Sequence, residues 1–131
     1  MTRRSVLPCL AAALLAGCTS VKITENFGTA KVEAGAEPLA AVEIENSSWL
    51  LLDFIPIASG DPEHPNRNCC RWFRNTATLE TNVKLLGAEM KRRGATRCAN
   101  VTSRWTDEKA LVILLARRAY HTSAVILKDP K

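Results

Sequence analysis

The N-terminal segment constrains the fold more than any other feature, because it separates a leader from the part of the chain that has to form a core. Three elements follow one another along it: the charged pair Arg3 and Arg4, an apolar run over residues 6–15, and the small pair Ala16 and Gly17. This order is typical of a secretory signal peptide. The apolar run is too short to cross a hydrocarbon layer of about 30 Å as a helix. We therefore expect residues 1–17 to be removed.

The residues around the expected cleavage point resemble the lipobox of bacterial lipoproteins: Leu15, Ala16, Gly17 and Cys18. The resemblance implies that lipoprotein signal peptidase recognises the first three and cuts before Cys18. It also implies a diacylglyceryl group on the Cys18 sulfur and an acyl chain on the new amino group, and two or three such chains hold a protein firmly to a bilayer. Thr19 after the cysteine implies sorting to the outer membrane, facing the periplasm. The alternatives are an ordinary secretory leader that ends in a cysteine and a core helix.

Length and composition predict one modest domain after the leader. The chain has 131 residues, of which 47% are hydrophobic, enough for a single core. Its net charge is +5, and a chain beginning at Cys18 loses the two positive charges of Arg3 and Arg4. The remaining charge is too small to indicate a nucleic-acid partner. We expect a lipidated N-terminus and flexible tether over residues 18–38, with a first β-strand as the alternative for part of it, and a domain over 39–131.

Hydrophobic patterns predict strands on either side of one helix. Strands are expected at 41–45 and 49–57 with a break at 46–48, and a loop follows at 60–68. An amphipathic helix is expected at about 76–93, because Leu79, Val83, Leu86 and Met90 recur at helical spacing. Asn75 or Thr76 would cap it, and Gly94 would stop it.

The C-terminal third predicts two more strands. One is expected at 97–103, followed by a turn at 106–108. A long bent strand is then expected from the apolar run 110–116 through to 127, because Arg117 and Arg118 lack the residues that a two-residue hairpin requires. The order β-β-α-β-β, with a right-handed crossover through the helix, predicts an α+β fold: a small mixed β-sheet with one helix packed on one face.

Three segments together resemble the TRL-like and related small bacterial lipoproteins. They are residues 49–60, the helix, and residues 94–128. The resemblance covers most of the chain after Cys18 and implies the same plan of a strand rich in Trp and Leu, a helix, a Gly-Ala pair and two strands. The loop 61–74 departs from that plan. The resemblance implies no catalytic residues.

Cysteine and histidine residues form one collection with redox or metal-binding potential. Cys69, Cys70 and Cys98 follow the leader, and His64 and His121 are the two histidines. Their spacing matches no standard metal site, so we predict no metal site and no cofactor. A disulfide to Cys98 would need the loop to run back along the helix. The alternatives left open are a disulfide and free thiols.

No motif indicates an enzyme, and we expect none. His121 and Ser123 would share a strand face, but no Gly-x-Ser-x-Gly elbow or Gly-rich phosphate loop is present. Trp72 with Phe73, and Arg67, Arg71 and Arg74, are candidate surfaces for a partner or for acidic headgroups, or else part of the sheet cover and a solvated loop.

The sequence thus predicts a non-enzymatic envelope lipoprotein that binds the membrane through lipid and has a structural or interaction role, with an envelope protein as its partner. The alternative is a thiol-dependent redox or metal-handling periplasmic protein that uses Cys69, Cys70 and Cys98.

Overall fold

The computed structural model describes residues 18–25, 35–67, 69–110 and 114–130. Within these ranges the elements follow in the order β1 (Thr19–Thr24), β2 (Glu37–Leu51), β3 (Ile55–Gly60), β4 (Cys70–Trp72), α1 (Leu79–Arg93), β5 (Arg97–Ala110) and β6 (Leu115–Lys128). The expected signal peptide, including Leu15, Ala16 and Gly17, lies outside the described residues, as does the stretch 26–34 of the expected tether.

Strand β2 organises the sheet. It pairs with β6 from Glu37 to Leu51 along one edge, whereas its other edge is shared by two strands. On that edge, β1 pairs with residues 41–46 and β3 pairs with residues 48–51. The sheet order is β4-β3-β2-β6-β5, with β1 beside β2.

The prediction of an α+β fold with a mixed sheet is wrong, because the fold is mainly β. The described residues are 58% strand and 15% helix, and every strand pair among them is antiparallel. The helix joins β4 to β5, which are the two ends of the strand order. Since β4 and β5 are not neighbours, the predicted right-handed crossover between parallel strands does not occur.

The predicted strand 49–57 is a hairpin, and the predicted break at 46–48 lies inside β2. The chain reverses at Leu52 and Asp53, whose φ angles of 53° and 69° place them in the left-handed region. A non-glycine residue rarely adopts that conformation, so the apolar pattern concealed the turn. Asn46, Ser47 and Ser48 continue the strand and are buried.

The predicted turn at 106–108 is also wrong, because β5 continues to Ala110. Ion pairs across the strands accommodate the acidic residues: Asp107 lies 3.6 Å from Arg118, and Glu108 lies 3.5 Å from Arg117. Opposite charges at facing positions stabilise a strand pair. The predicted strand from 110 to 127 is wrong at its start, because residue 110 ends β5 and β6 begins at Leu115. Arg117 and Arg118 do lie inside a strand, as expected.

Helix α1 begins later than predicted and is rotated relative to the expected apolar stripe. Its N-cap is Thr78, whose side chain accepts a hydrogen bond from the Thr81 N–H, whereas the predicted stop at Gly94 is confirmed by a left-handed φ of 65°. Leu79 and Val83 are about half exposed. The buried face instead carries Asn82, Leu86 and Glu89.

The core lies between this helix and the sheet. Leu86 packs in one cluster with residues of β2 and β6: Ala40, Val42, Ile44, Ala124 and Ile126. Asn82 crosses the same interface, because its Nδ2 donates to the Tyr120 carbonyl at 3.0 Å and to Thr122 Oγ1 at 3.1 Å. Because the hydrogen-bonded Asn82 is buried in this interface, the buried face of α1 includes a polar residue, and a prediction based on apolar spacing alone misplaced that face. Among the described residues, α1 is too short and too polar to span a membrane.

Candidate functional site

Cys18, the predicted lipidation residue, is exposed and lies directly before β1. Its backbone is bound to β2 in both directions: the Cys18 N–H donates to Ser47 Oγ at 3.0 Å, and its carbonyl accepts from the Ser47 N–H at 2.8 Å. We call Cys18, Thr19, Asn46, Ser47 and Gly60 the anchor seat. Cys18 therefore joins the sheet through its own peptide groups.

Gly60 allows the start of β1 to approach the end of β3. A Cβ atom at Gly60 would lie 2.4 Å from the carbonyl carbon of Cys18 and 2.4 Å from the Thr19 nitrogen. Those separations are far inside van der Waals contact, so a larger residue would displace one of the two strands. This position requires glycine for close approach of two backbones.

Thr19 and Asn46 complete the anchor seat beneath the surface. Thr19 is buried, and its hydroxyl donates to Asn46 Oδ1 at 2.9 Å. The Asn46 amide donates in turn to the carbonyl of Thr76. Buried polar groups that satisfy one another define a single arrangement, so the first residues after Cys18 are held against the sheet.

Residues 19–24 were expected to begin a flexible tether, with a strand as the alternative. The structure has the strand there: β1 pairs residue by residue with β2, from Thr19 opposite Asn46 to Thr24 opposite Ala41. The side chains of Val21 and Ile23 pack against the core cluster. No tether thus separates Cys18 from β1, and the sheet begins at the next residue.

A second group of functional side chains lies in the loop between β3 and β4. Asp61, His64 and Cys69 each offer one donor atom, and the three atoms lie within 4.8 Å of one another. Asp61 Oδ2 lies 2.9 Å from His64 Nδ1 and 3.9 Å from Cys69 Sγ. We call these three residues the loop triad.

Arg71 holds the carboxylate of the loop triad from the other side. Its Nε donates to Asp61 Oδ1 at 2.8 Å, and its Nη2 lies 2.5 Å from Glu63 Oε2. Asp61 Oδ1 also accepts from the Glu63 N–H at 3.1 Å. The hydrogen bond with His64, together with these bonds and the charge of Arg71, lowers the pKa of Asp61 below its usual value. Asp61 is consequently a carboxylate at neutral pH.

The structure separates the three predicted thiols into two places. Cys69 lies in the loop directly before β4, and Cys70 begins β4 and faces Gly60. Cys98 faces Ile126 and packs against the core cluster. Through β3, Cys70 lies near the level of Ser48 on β2, whereas Cys98 lies level with Ala40 through Ile126. Those two positions on β2 are about 25 Å apart along the strand, far beyond the 7 Å or so that a disulfide spans. The four cysteines in the described part of the chain are free thiols.

The remaining candidate surfaces have different exposures. Trp72 and Phe73 are 49% and 76% exposed, so they do not simply cover the sheet. Arg71 is committed to its ion pairs, whereas Arg67 and Arg74 are exposed.

His121 and Ser123 do share one face of the sheet. On that face Glu45 and Arg104 lie opposite His121. The imidazole of His121 forms its hydrogen bond with Thr106, from Nε2 to Oγ1 at 3.5 Å, and not with Ser123. This arrangement does not form a catalytic pair.

Sequence reasoning singled out Cys18 and Cys69 as candidates but did not single out Asp61 or the other residues of the anchor seat. Asp61 and His64 are three residues apart in a loop rich in proline, a spacing that brings them together in a tight turn. That signal was readable. Nothing in the sequence places Ser47 or Gly60 beside Cys18, because the contacts join residues that are far apart in the chain.

Comparison with protein-family models, curated proteins and solved structures finds no match.

Proposed function

We propose that this protein is a membrane-anchored envelope lipoprotein, in which lipid on Cys18 holds a non-enzymatic β-domain at the membrane surface. The observation that carries the proposal is the position of Cys18, which ends the lipobox-like segment and is exposed one residue before β1. A lipid on that sulfur would leave the fold undisturbed. The proposed location is the outer membrane, facing the periplasm.

The chemistry of lipidation is compatible with the anchor seat. The bonds to Ser47 use the backbone N–H and carbonyl of Cys18, and not its sulfur. An acyl group on the Cys18 nitrogen would leave one N–H, which is enough to donate to Ser47 Oγ. The proposed thioether and amide can therefore both form while every bond of the anchor seat is kept.

The surface of the domain supports an interaction role. At one end of the sheet, the turn after β2 meets Leu114, the residue directly before β6, through a hydrogen bond from the Leu52 N–H to the Leu114 carbonyl at 2.9 Å. Leu52, Phe54 and Leu114 are exposed there, at 44%, 71% and 57%. Exposed apolar side chains grouped in this way are typical of a protein contact, so we propose an envelope protein as the partner.

The test is Cys18→Ala in the full chain, with Cys98→Ala as the matched control. Cells grown with an alkyne fatty acid should label the parent protein and the control, and both should fractionate with membranes. The Cys18→Ala variant should be unlabelled and should accumulate as precursor. Labelling of Cys18→Ala, or an unlabelled parent with a free amino terminus, would overturn the proposal.

A further inference from the structure

The loop triad brings three different donor types close to the spacing that a metal ion requires. Bonds of 2.0–2.3 Å from zinc to its ligands place tetrahedral donor atoms about 3.3–3.8 Å apart. The separations from Asp61 Oδ2 to His64 Nδ1 and to Cys69 Sγ are 2.9 and 3.9 Å, on either side of that range. The third separation, from His64 Nδ1 to Cys69 Sγ, is at most 4.8 Å, so shifts of no more than about 1 Å would bring the three atoms to the spacing of a three-ligand site.

The loop that carries the triad is held at both ends by β1. Gly60, directly before Asp61, packs on Cys18 and Thr19. Near the other end, the side-chain amide of Asn66 pairs with both backbone groups of Val21, as a neighbouring strand would. Its Oδ1 accepts from the Val21 N–H at 2.8 Å, and its Nδ2 donates to the Val21 carbonyl at 3.0 Å. These attachments restrict the loop before any ion arrives, so ligand binding would order few further residues.

The surroundings of the triad also match those of a metal site. Ligating carboxylates in proteins are usually oriented by further hydrogen bonds, and Arg71 Nε supplies one to Asp61 Oδ1 while Oδ2 faces the other two donors. With the thiol ionised, Asp61, Glu63 and Cys69 carry three negative charges and Arg71 carries one positive charge. A divalent cation would neutralise the remainder.

We propose that the loop between β3 and β4 binds Zn²⁺ through Asp61 Oδ2, His64 Nδ1 and the thiolate of Cys69. The mixture of oxygen, nitrogen and sulfur donors favours this borderline ion over the hard ions Mg²⁺ and Ca²⁺, which prefer oxygen ligands. On binding, the ion takes the place of any proton on His64 Nδ1, and that proton passes to solvent. The ring is then neutral with its single proton on Nε2, and the thiol proton of Cys69 also passes to solvent. His64 is 53% exposed, so solvent can supply the fourth ligand.

Cobalt substitution in the full chain, purified in detergent under reducing conditions, tests the proposal directly. The probes are Co²⁺ alone, read by its visible absorption and by the near-ultraviolet charge-transfer band of a cobalt–thiolate bond, and Zn²⁺ in competition with a chromophoric chelator. The parent should show an intense tetrahedral spectrum that one equivalent of Zn²⁺ abolishes. A parent with no charge-transfer band would overturn the proposal.

Single substitutions then assign the ligands. Cys69→Ser should remove the charge-transfer band, and Asp61→Asn and His64→Gln should each weaken Zn²⁺ binding by about tenfold or more, as loss of even a supporting residue does at metal sites. Cys70→Ser and His121→Gln are the matched controls and should bind as the parent does. Since His64 is exposed, its variant keeps the test valid even if Cys69→Ser does not fold. Loss of the band in Cys70→Ser instead, or parental affinity in His64→Gln, would contradict the assignment.

Discussion

The two faces of the sheet are stabilised in different ways. The face under α1 carries apolar side chains that alternate along β2 and β6 and contact Leu86: Ala40, Val42, Ile44, Ala124 and Ile126. On the other face, the same two strands and β5 present polar and charged side chains at facing positions: Glu43, Glu45, Arg104, His121 and Ser123. Since successive residues of a strand point to opposite faces, one sequence specifies both surfaces.

The comparison indicates which face determines stability. Full burial of one aliphatic side chain contributes roughly 2–3 kcal/mol, whereas a partly exposed ion pair contributes about 0–1 kcal/mol. We therefore expect substitutions under the helix to affect the free energy of unfolding far more than those on the charged face. The expected effects decrease from the core cluster, through the buried carboxylate of α1, to the ion pairs.

The largest effect is expected from Ile44→Ala. Ile44 is fully buried in the core cluster, so its truncation leaves a cavity and should lower the free energy of unfolding by about 3–4 kcal/mol. Urea denaturation followed by circular dichroism measures the change. Glu43→Ala, at the adjacent exposed position, is the control and should stay within about 0.5 kcal/mol of the parent. Equal costs for the two variants would remove the distinction between the faces.

An intermediate effect is expected from Glu89→Gln, a charged group on the buried side of α1. Glu89 accepts hydrogen bonds from Arg92 at 3.0 and 2.6 Å and from Arg93 at 2.9 Å. Loss of these charged bonds should lower the free energy of unfolding by about 2 kcal/mol at neutral pH.

Glu89 also makes a prediction about acid. The hydrogen bond with Arg92, followed by the bond with Arg93 and their charges, lowers the pKa of Glu89 below its ordinary value of 4.5. A lowered pKa in the folded state contributes stability above the unfolded value, and that contribution is lost as pH falls through the folded value. As the pH falls from neutral to below 4.5, the parent should therefore lose more stability than Glu89→Gln. Parallel curves of unfolding free energy against pH would show that Glu89 is not coupled to folding.

The smallest effect is expected from Arg117→Ala on the charged face. Arg117 Nη2 lies 3.0 Å from Glu45 Oε1, and Nη1 lies 3.5 Å from Glu108 Oε2. Partly exposed pairs of this kind should cost no more than about 1 kcal/mol when broken. The difference from the parent should shrink in 1 M salt, where the screening length is about 3 Å. A double-mutant cycle with Glu45→Ala measures the coupling, and a salt-independent cost above 2 kcal/mol would contradict this view of the charged face.

Local signals in the sequence predicted some elements well and others poorly. The existence of the helix and its stop at Gly94 were predictable because helical spacing and a glycine stop are local signals, whereas its N-cap and its buried face were placed wrongly. The hairpin at Leu52 and Asp53 was not, since both residues adopt left-handed backbone angles that usually need glycine or asparagine. The all-antiparallel pairing was missed for the same reason, because one unseen turn changes the direction of every later strand.

The candidate sites divide in the same way. Cys18 could be predicted because its signal is a run of four adjacent residues, and Asp61 and His64 are close enough in sequence to suggest a turn. Cys69 joins them through the fold of the loop, and Gly60 is needed only because two distant backbones meet there. Contacts between residues so far apart in the chain produce no periodic pattern in the sequence. The contacts of the anchor seat were therefore visible only in the structure.

The direct passage from Cys18 into β1 has a mechanical consequence. The lipid proposed for Cys18 would, when pulled, transmit its load to the first peptide group of the sheet, where the two bonds with Ser47 carry it before any bond farther along the strand. Beyond them, the rungs of β1 would open in turn from Thr19 towards Thr24. Force on Cys18 would thus separate β1 from β2 one residue pair at a time. The loop between β3 and β4, which is bound to Val21 through Asn66, would lose that attachment as well.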